Sequence, residues 1–491
     1  MSFWTLEGIK SACNGAGVAR PEGALHVLDG LSIDSRTMRP GQVFVAIKGE
    51  RVDGHAYVAE AAKAGAGLLI VADAAVLAKL PKAVPALVVA ETGQALLKLA
   101  AAYRKTLDVT RVIAVGGSNG KTTTVNLIHQ VLSRSLRGTA SPKSFNNAVG
   151  VPLTILNAKR GDQYLVCEVG TNAPGEILPL TRVIEPDIAV ITSIGREHLE
   201  GLGSLQGVVQ EEASLLNGLR PGGVAIVNAD APGLVEAVKP RVAGEKRQLL
   251  TFGFAETADL RITSTEQTAE GLRLCLNGRT WFSLPLLGLH NASNAAAAVA
   301  VGRRMGVAQE EIEAALASAS GPPMRLERVK ARGVLFVNDA YNANPESVLA
   351  ALRTFGEIFA GVKQHRRVVV LGDMLELGDQ APEMHREVGE ALGRCAWADH
   401  VVLVGKLSLF TAERAMKSLP AGRVTLLDDV DGAGATKAAG LLREGDVVLL
   451  KGSRRMGLER IIEAYKVAGT PLIGPEVKPV DKGGVPPVAK R

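Results

Sequence analysis

The sequence predicts an α/β protein of three domains with mostly parallel sheets. Three observations carry that prediction. Short apolar runs of strand length alternate with helical patterns over most of the chain, which is how right-handed βαβ units read. The 491 residues exceed a single core, since domains run to about 100–200 residues each. The 47% hydrophobic and 22% charged residues are ordinary globular usage.

Residues 1–107 predict a small mixed α/β domain, with strands at 43–47 and 68–72 and a helix over 56–66 stopping at Gly65 or Gly67. A polar joint at 104–111 precedes a second domain, 108–321. There RVIAV (111–115) reads as a strand, followed by a Gly-rich turn and a helix with Val125, Ile128, Val131, Leu132 and Leu136 at helical spacing. Runs at 164–169, 188–194 and 223–228 suit strands buried on both faces. Alternating segments over 258–287 predict an antiparallel patch, and Ala-rich helix follows from about 291 to 320. A third domain, 322–470, carries strands at 334–338, 367–372, 400–405 and 446–452. The last 21 residues hold five prolines and are expected to form a disordered tail over 471–491.

Composition narrows function. A net charge of +6 and 4% aromatics show neither the concentrated basic patch nor the stacking aromatics of nucleic-acid binders. Four scattered cysteines without a CxxC pair argue against a cysteine zinc or redox site. The N-terminus shows no secretory pattern. No apolar stretch approaches the roughly 20 residues of a membrane helix. A soluble, cytoplasmic, reduced protein is expected.

The strongest chemical signal is GGSNGKTTT at 116–124. It lies between a strand and a helix, the setting of a phosphate-binding loop. Glycines turn backbone N–H groups toward a phosphate, and the helix N-terminus adds positive potential. Lys121 is placed to reach phosphates and Thr122 to ligate magnesium. Val115 makes this a short GxxGKT loop rather than GxxxxGK[ST]. Glu168 ends a strand, where a carboxylate either holds Mg²⁺ or caps a neighbour. His198, with Glu211 and Glu212 on a following helix, marks a weaker metal pattern; a solvated helix face is the simpler reading. Asn344-Pro345 reads as a helix cap with Pro at the first position, with Asp339, Tyr341 and Asn342 crowding the strand end before it. Asn291 and Asn294 either start a helix or read a base edge. Ser453 and the cations of KGSRRMG suit a carboxylate or phosphate.

Taken together, these strings resemble the Mur ligase superfamily. SIDSRTMRPGQVFVAIKGERVDGH (32–55), GGSNGKTTT, NNAVGVPLT (146–154), EVGTNAPGEI (168–177), HLEGLGSLQGV (198–208), GLHNASNA, NDAYNANPES, LGDMLELGDQAPEMHREVG (371–389) and LLKGSRRMGLE (449–459) occur in register over most of the chain. GTNAPGEI, DAYNANPES and LGDMLELG are similar to the branch that adds a dipeptide.

The resemblance implies a UDP-substrate domain, a P-loop ATPase-like domain and a Rossmann-like C-terminal domain. It implies ATP and two Mg²⁺ ions, with UDP-N-acetylmuramoyl-tripeptide and D-alanyl-D-alanine as substrates and a monomeric enzyme. Asp34, Ser35 and Arg36 would lie near the UDP end, and Asn146, Asn147, Thr171 and Asn172 along the muramoyl-peptide, with Tyr341, Asn342 and Ser453 as further substrate contacts. Gly117, Ser118, Asn119, Gly120, Lys121, Thr122 and Thr123 would hold the triphosphate. Asn291 and Asn294 would face adenine, while Arg325 and Asp339 reach ATP from the third domain. Glu168 would bind the first Mg²⁺ and His198 the second.

One position departs from the family. Its pattern places a carbamylated lysine fourteen residues beyond His198, and this chain has Glu212. The departure is read either as loss of a metal site, giving a non-catalytic ATP-binding relative, or as replacement of the carbamate by a carboxylate. Glu212 is expected to be the replacement. A sibling ligase adding a single amino acid is the nearest alternative activity.

Overall fold

The computed structural model describes residues 3–19, 27–49, 52–80, 84–361 and 364–467. The tail expected at 471–491 lies outside these. The described chain forms three sheets. The N-terminal one has five strands in the order Ala16–Ala19, Ala86–Val88, Leu68–Val71, Val43–Val45, Leu31–Ser32, parallel except at the first pair. The central sheet has nine. Arg111–Gly116 lies between Tyr164–Glu168 and Ile188–Ile191, parallel to both. Beyond Val224–Asn228 and Gln248–Gly253 the sheet turns antiparallel through Leu260–Gln267, Leu272–Leu276 and Thr280–Leu284, where alternation predicted it. The C-terminal sheet has six strands, with Val447–Lys451 between Val334–Asp339 and Arg367–Gly372, all parallel.

The inner strands explain their own burial. Every residue of Tyr164–Glu168, Ile188–Ile191, Val224–Asn228 and Val447–Lys451 is buried, because helices cover both sheet faces. Helix Lys121–Leu132 packs Val125, Leu127, Ile128 and Val131 into the core beneath the central sheet.

Three expectations shift. The Ala-rich helix is two, His290–Arg304 and Gln309–Ala317, because Gly306 turns left-handed at φ 78°. The helix after the phosphate loop stops at Leu132, short of Leu136. Strands Gln248–Gly253, Glu327–Ala331 and Val424–Leu427 escaped notice, as did several shorter ones; Glu327–Ala331 exposes Arg328 and Lys330 on one face. Among the described residues no helix is long and apolar enough to cross a membrane, and the four cysteines are unpaired.

Candidate active site in the cleft between the central and C-terminal domains

The parallel strands of the central and C-terminal sheets end at a common cleft. A cavity of about 270 Å³ opens there, lined from one side by Asn119, Gly120, Thr123, Ser193, Asn228, His290 and Asn294, and from the other by Arg325, Asp339, Tyr341, Asn342, Asn344 and Lys451.

The phosphate loop sits at its floor. Gly117 has φ 115°, and a Cβ there would strike Thr192 and Ser193, so only glycine fits. Gly120, at φ 86°, precedes the helix and lies against the Asn294 amide. The Lys121 ammonium folds back over the loop, donating to the carbonyls of Gly117 at 2.5 Å and Ser118 at 3.0 Å.

Three buried carboxylates surround that ammonium. Glu197 approaches it to 3.5 Å. Glu212 is fully buried, and its Oε2 accepts the Gly117 N–H at 2.6 Å. Glu168 accepts from Asn146 Nδ2 at 2.9 Å. Burial works against the charge on Lys121, but Glu197, Glu212 and Glu168 outweigh it and hold its pKa above the ordinary value. One ammonium does not neutralise three buried carboxylates. Burial therefore raises Glu168 and Glu197, and pushes Glu212 up to about 7. Among the described residues, Glu168 Oε2 and Glu212 Oε1 are buried without a hydrogen-bond partner, an expensive state for a carboxylate unless something else occupies it.

The segment Gly195–His198 faces both domains at once. Gly195 N–H donates to Ser118 Oγ at 2.9 Å. Arg196 makes a bidentate pair with Glu387 at 2.8 and 2.9 Å and a further ion pair with Glu346. Glu197 faces Lys121, and His198 Nδ1 lies 3.0 Å from Glu376. From the C-terminal side, Arg325 Nη2 donates to Thr122 Oγ1 at 2.9 Å, and Asn344 Nδ2 to Asn119 Oδ1 at 3.1 Å.

The remaining candidates fall into groups. Asn294 lines the cavity, while Asn291 stands behind it, accepting from Asn294 Nδ2 at 2.8 Å. Asp339 lines the cavity but is engaged by Lys451 at 2.9 Å and by the Leu326 N–H at 3.1 Å. Asn147 caps the start of helix Gly150–Asn157 by accepting the Val149 and Gly150 N–H groups. Thr171 and Asn172 join a turn closed on Glu176. Ser453 is buried and holds the Leu375 N–H at 2.9 Å. Asp34 and Arg36 pair at 2.7 Å on the exposed loop of the N-terminal domain, with Ser35 between them. That pairing holds the Asp34 carboxyl down at about 2. Among the described residues no group of three His, Cys, Asp or Glu side chains converges as a metal cage, and His198 turns to Glu376 rather than to Glu212. Sequence reasoning did not single out Glu197, His290 or Asn228, which carried no local signal. Lys451 was among the cations of KGSRRMG offered to a carboxylate or phosphate, and it pairs with the Asp339 carboxylate at 2.9 Å.

Models of the Mur ligase family match in chain order: its catalytic domain over residues 27–111, its middle domain over 115–302, and its glutamate ligase domain over 324–454. The UDP-N-acetylmuramoyl-tripeptide--D-alanyl-D-alanine ligase of Bacillus subtilis is 37% identical over 94% of this chain and 97% of its own. This chain belongs to the Mur ligase family. Among solved structures, MurF from Acinetobacter baumannii superposes with a TM-score of 0.82 at 29% identity, covering 94% of this chain and 98% of that one. MurF from Thermotoga maritima, solved in complex with ADP, has a TM-score of 0.74 at 28% identity, covering 89% and 97%. Both matches extend over most of the chain, so the likeness is to the whole architecture and not to one domain.

Proposed function

We propose that this chain is the ATP-dependent ligase that joins D-alanyl-D-alanine to the C-terminal carboxylate of UDP-N-acetylmuramoyl-tripeptide, a cytoplasmic step in making peptidoglycan precursor. The observation that carries the reading is the convergence on Thr122 and the phosphate loop of Lys121 from one domain and Arg325 from another.

A carboxylate is a poor acyl donor because its leaving group would be oxide. In the proposed reaction a carboxylate oxygen bonds to the γ-phosphorus and the bond to ADP breaks. The resulting acyl phosphate has a good leaving group. The dipeptide amine then bonds to the carbonyl carbon, loses its proton, and expels phosphate. Lys121, Arg325 and the N-terminus of helix Lys121–Leu132 offset the negative charge that gathers when a carboxylate meets a triphosphate. Gly117, Ser118, Asn119, Gly120 and Thr123 shape the phosphate cradle, and Asn294, backed by Asn291, faces the base. Asn146, Asn147, Thr171 and Asn172 flank the peptide path, and Asp34, Ser35 and Arg36 serve the distant UDP end.

The two unpartnered carboxylate oxygens, Glu168 Oε2 and Glu212 Oε1, suit a hard cation with oxygen ligands. Thr122 and Glu168 would hold one Mg²⁺, and Glu212 with His198 a second, once His198 leaves Glu376. Bound there, Mg²⁺ supplies positive charge against the phosphates. The helix Leu205–Ala213 lies close enough for Glu212 to reach Gly117 directly. That reach supports Glu212 as a built-in substitute for the family's carbamylated lysine.

The test is phosphate release from MgATP in CO₂-depleted buffer, with each substrate alone and both together. Release that needs both substrates and ignores added bicarbonate is expected, with a loss of about a hundredfold or more in Glu212→Ala. Strong bicarbonate stimulation, or an unaffected Glu212→Ala, removes the substitution idea. No release with this or any sibling substrate pair removes the ligase reading and leaves a non-catalytic ATP binder.

A further inference from the structure

Arg325 crosses the cleft from a backbone that is unusual on both sides of it. Met324 has φ 58° and Leu326 φ 51°, left-handed conformations that residues other than glycine seldom adopt and that persist only where surroundings enforce them. The enforcement is visible. The Met324 N–H donates to Glu327 Oε2 at 2.9 Å, and the Met324 carbonyl accepts from the Tyr341 N–H at 3.2 Å. The Leu326 N–H donates to Asp339 Oδ1 at 3.1 Å, while Lys451 holds the other Asp339 oxygen at 2.9 Å. The Leu326 side chain is buried in the C-terminal core.

The side chain is guided too. The Arg325 guanidinium carbon lies 4.3 Å above the centre of the Tyr341 ring, a stacking geometry that attracts a cation and fixes its plane. From that shelf Nη2 reaches Thr122. The kink and the ring thus act on one object, the direction of a single guanidinium.

We propose that Tyr341 is a positioning residue for Arg325. The ring and the double left-handed kink together aim the guanidinium at the phosphates bound by the other domain. This rests on the ligase reading, and it deepens it by assigning Tyr341 to Arg325 in place of a direct substrate contact.

A double-mutant cycle tests it. Tyr341→Leu is expected to lower kcat about tenfold, within the range of a desolvated cation–aromatic contact. Tyr341→Phe, which keeps the ring, restores the rate to within about threefold. In an Arg325→Ala background, adding Tyr341→Leu changes kcat by less than about twofold, because nothing is left to aim. Equal losses in both backgrounds, or failure of Phe to rescue, overturn the proposal and make Tyr341 a direct ligand contact. The same cycle, read as the Kd of a non-hydrolysable ATP analogue, gives an answer even if wild-type protein shows no dipeptide-dependent turnover. Failure of the ligase reading and failure of this inference are therefore separate results.

Discussion

On the central-domain wall of the cleft, Glu168 Oε2 and Glu212 Oε1 are buried with no hydrogen-bond partner among the described residues. On the C-terminal wall, Asp339 holds Leu326 and Lys451 and Asn344 caps helix Pro345–Phe359 through the Ser347 N–H; in the domain behind them, buried Asp373 takes the Leu407 and Ser408 N–H groups and the Ser408 hydroxyl. One wall keeps ionisable oxygens in reserve at an energetic cost, and the other uses them to fix its backbone. The difference teaches where ligand binding and where rigidity are located. On the proposed reading the reserve oxygens serve a cation, while committed ones hold the residues that point across.

The comparison breaks most visibly at Glu168. Glu168→Gln preserves shape and an oxygen for Asn146, so thermal stability should hold or rise slightly. The rate of phosphate release should fall by about two to three orders of magnitude, as for loss of a major electrostatic group. A destabilised but active variant would show that the central wall is structural after all.

Asp373→Ala should do the reverse for stability. It strands two backbone N–H groups in a buried place, at a cost of about 3 kcal/mol, measured by urea unfolding. The ATP-analogue Kd of the folded fraction should change little.

His385 sharpens the same wall. It is buried, accepts the Met374 N–H on Nε2 at 3.0 Å and donates from Nδ1 to the Ala381 carbonyl at 2.7 Å. Burial holds its pKa below 6.5, outweighing the Ala381 bond and Asp373. The folded state thus binds fewer protons than the unfolded chain below pH 6.5. This contribution to stability is complete above 6.5 and is lost as pH falls through 6.5 toward the folded pKa. Urea midpoints from pH 8 to 5.5 should be flat and then fall, with a shallower fall in His385→Asn.

Arg196→Ala gives the smallest effect. Its pairs with Glu346 and Glu387 are about one-third to two-fifths exposed, so the loss should be no more than about 1 kcal/mol. It should appear as a modest rise in KM for ATP at low ionic strength and fade at about 0.5 M salt. A large loss that ignores salt would mean the two walls are locked rather than lightly held.

What the sequence made legible follows from where information is local. The strand, loop and helix around Lys121 are encoded within about twenty residues, so GGSNGKTTT announced itself. The antiparallel patch and the Asn344–Pro345 cap were local too. Glu197 was not legible, because its meaning comes from Lys121, 76 positions away in sequence and 3.5 Å away in space. Asp339 shows the opposite limit. It was expected at the nucleotide and it lines the cavity, and it also pairs with Lys451 and accepts the Leu326 N–H. A sequence shows that a carboxylate stands at a strand end but not which cation from another strand claims it.

The segment Gly195–His198 carries a last consequence. Its four residues touch Ser118, Glu346 with Glu387, Lys121 and Glu376 in turn. Any free energy this strip gains from the C-terminal domain is therefore linked to the state of the phosphate loop. Linkage is reciprocal: whatever factor nucleotide changes in the docking of the two domains, docking returns to nucleotide affinity. Measuring either equilibrium with and without the other reports on both.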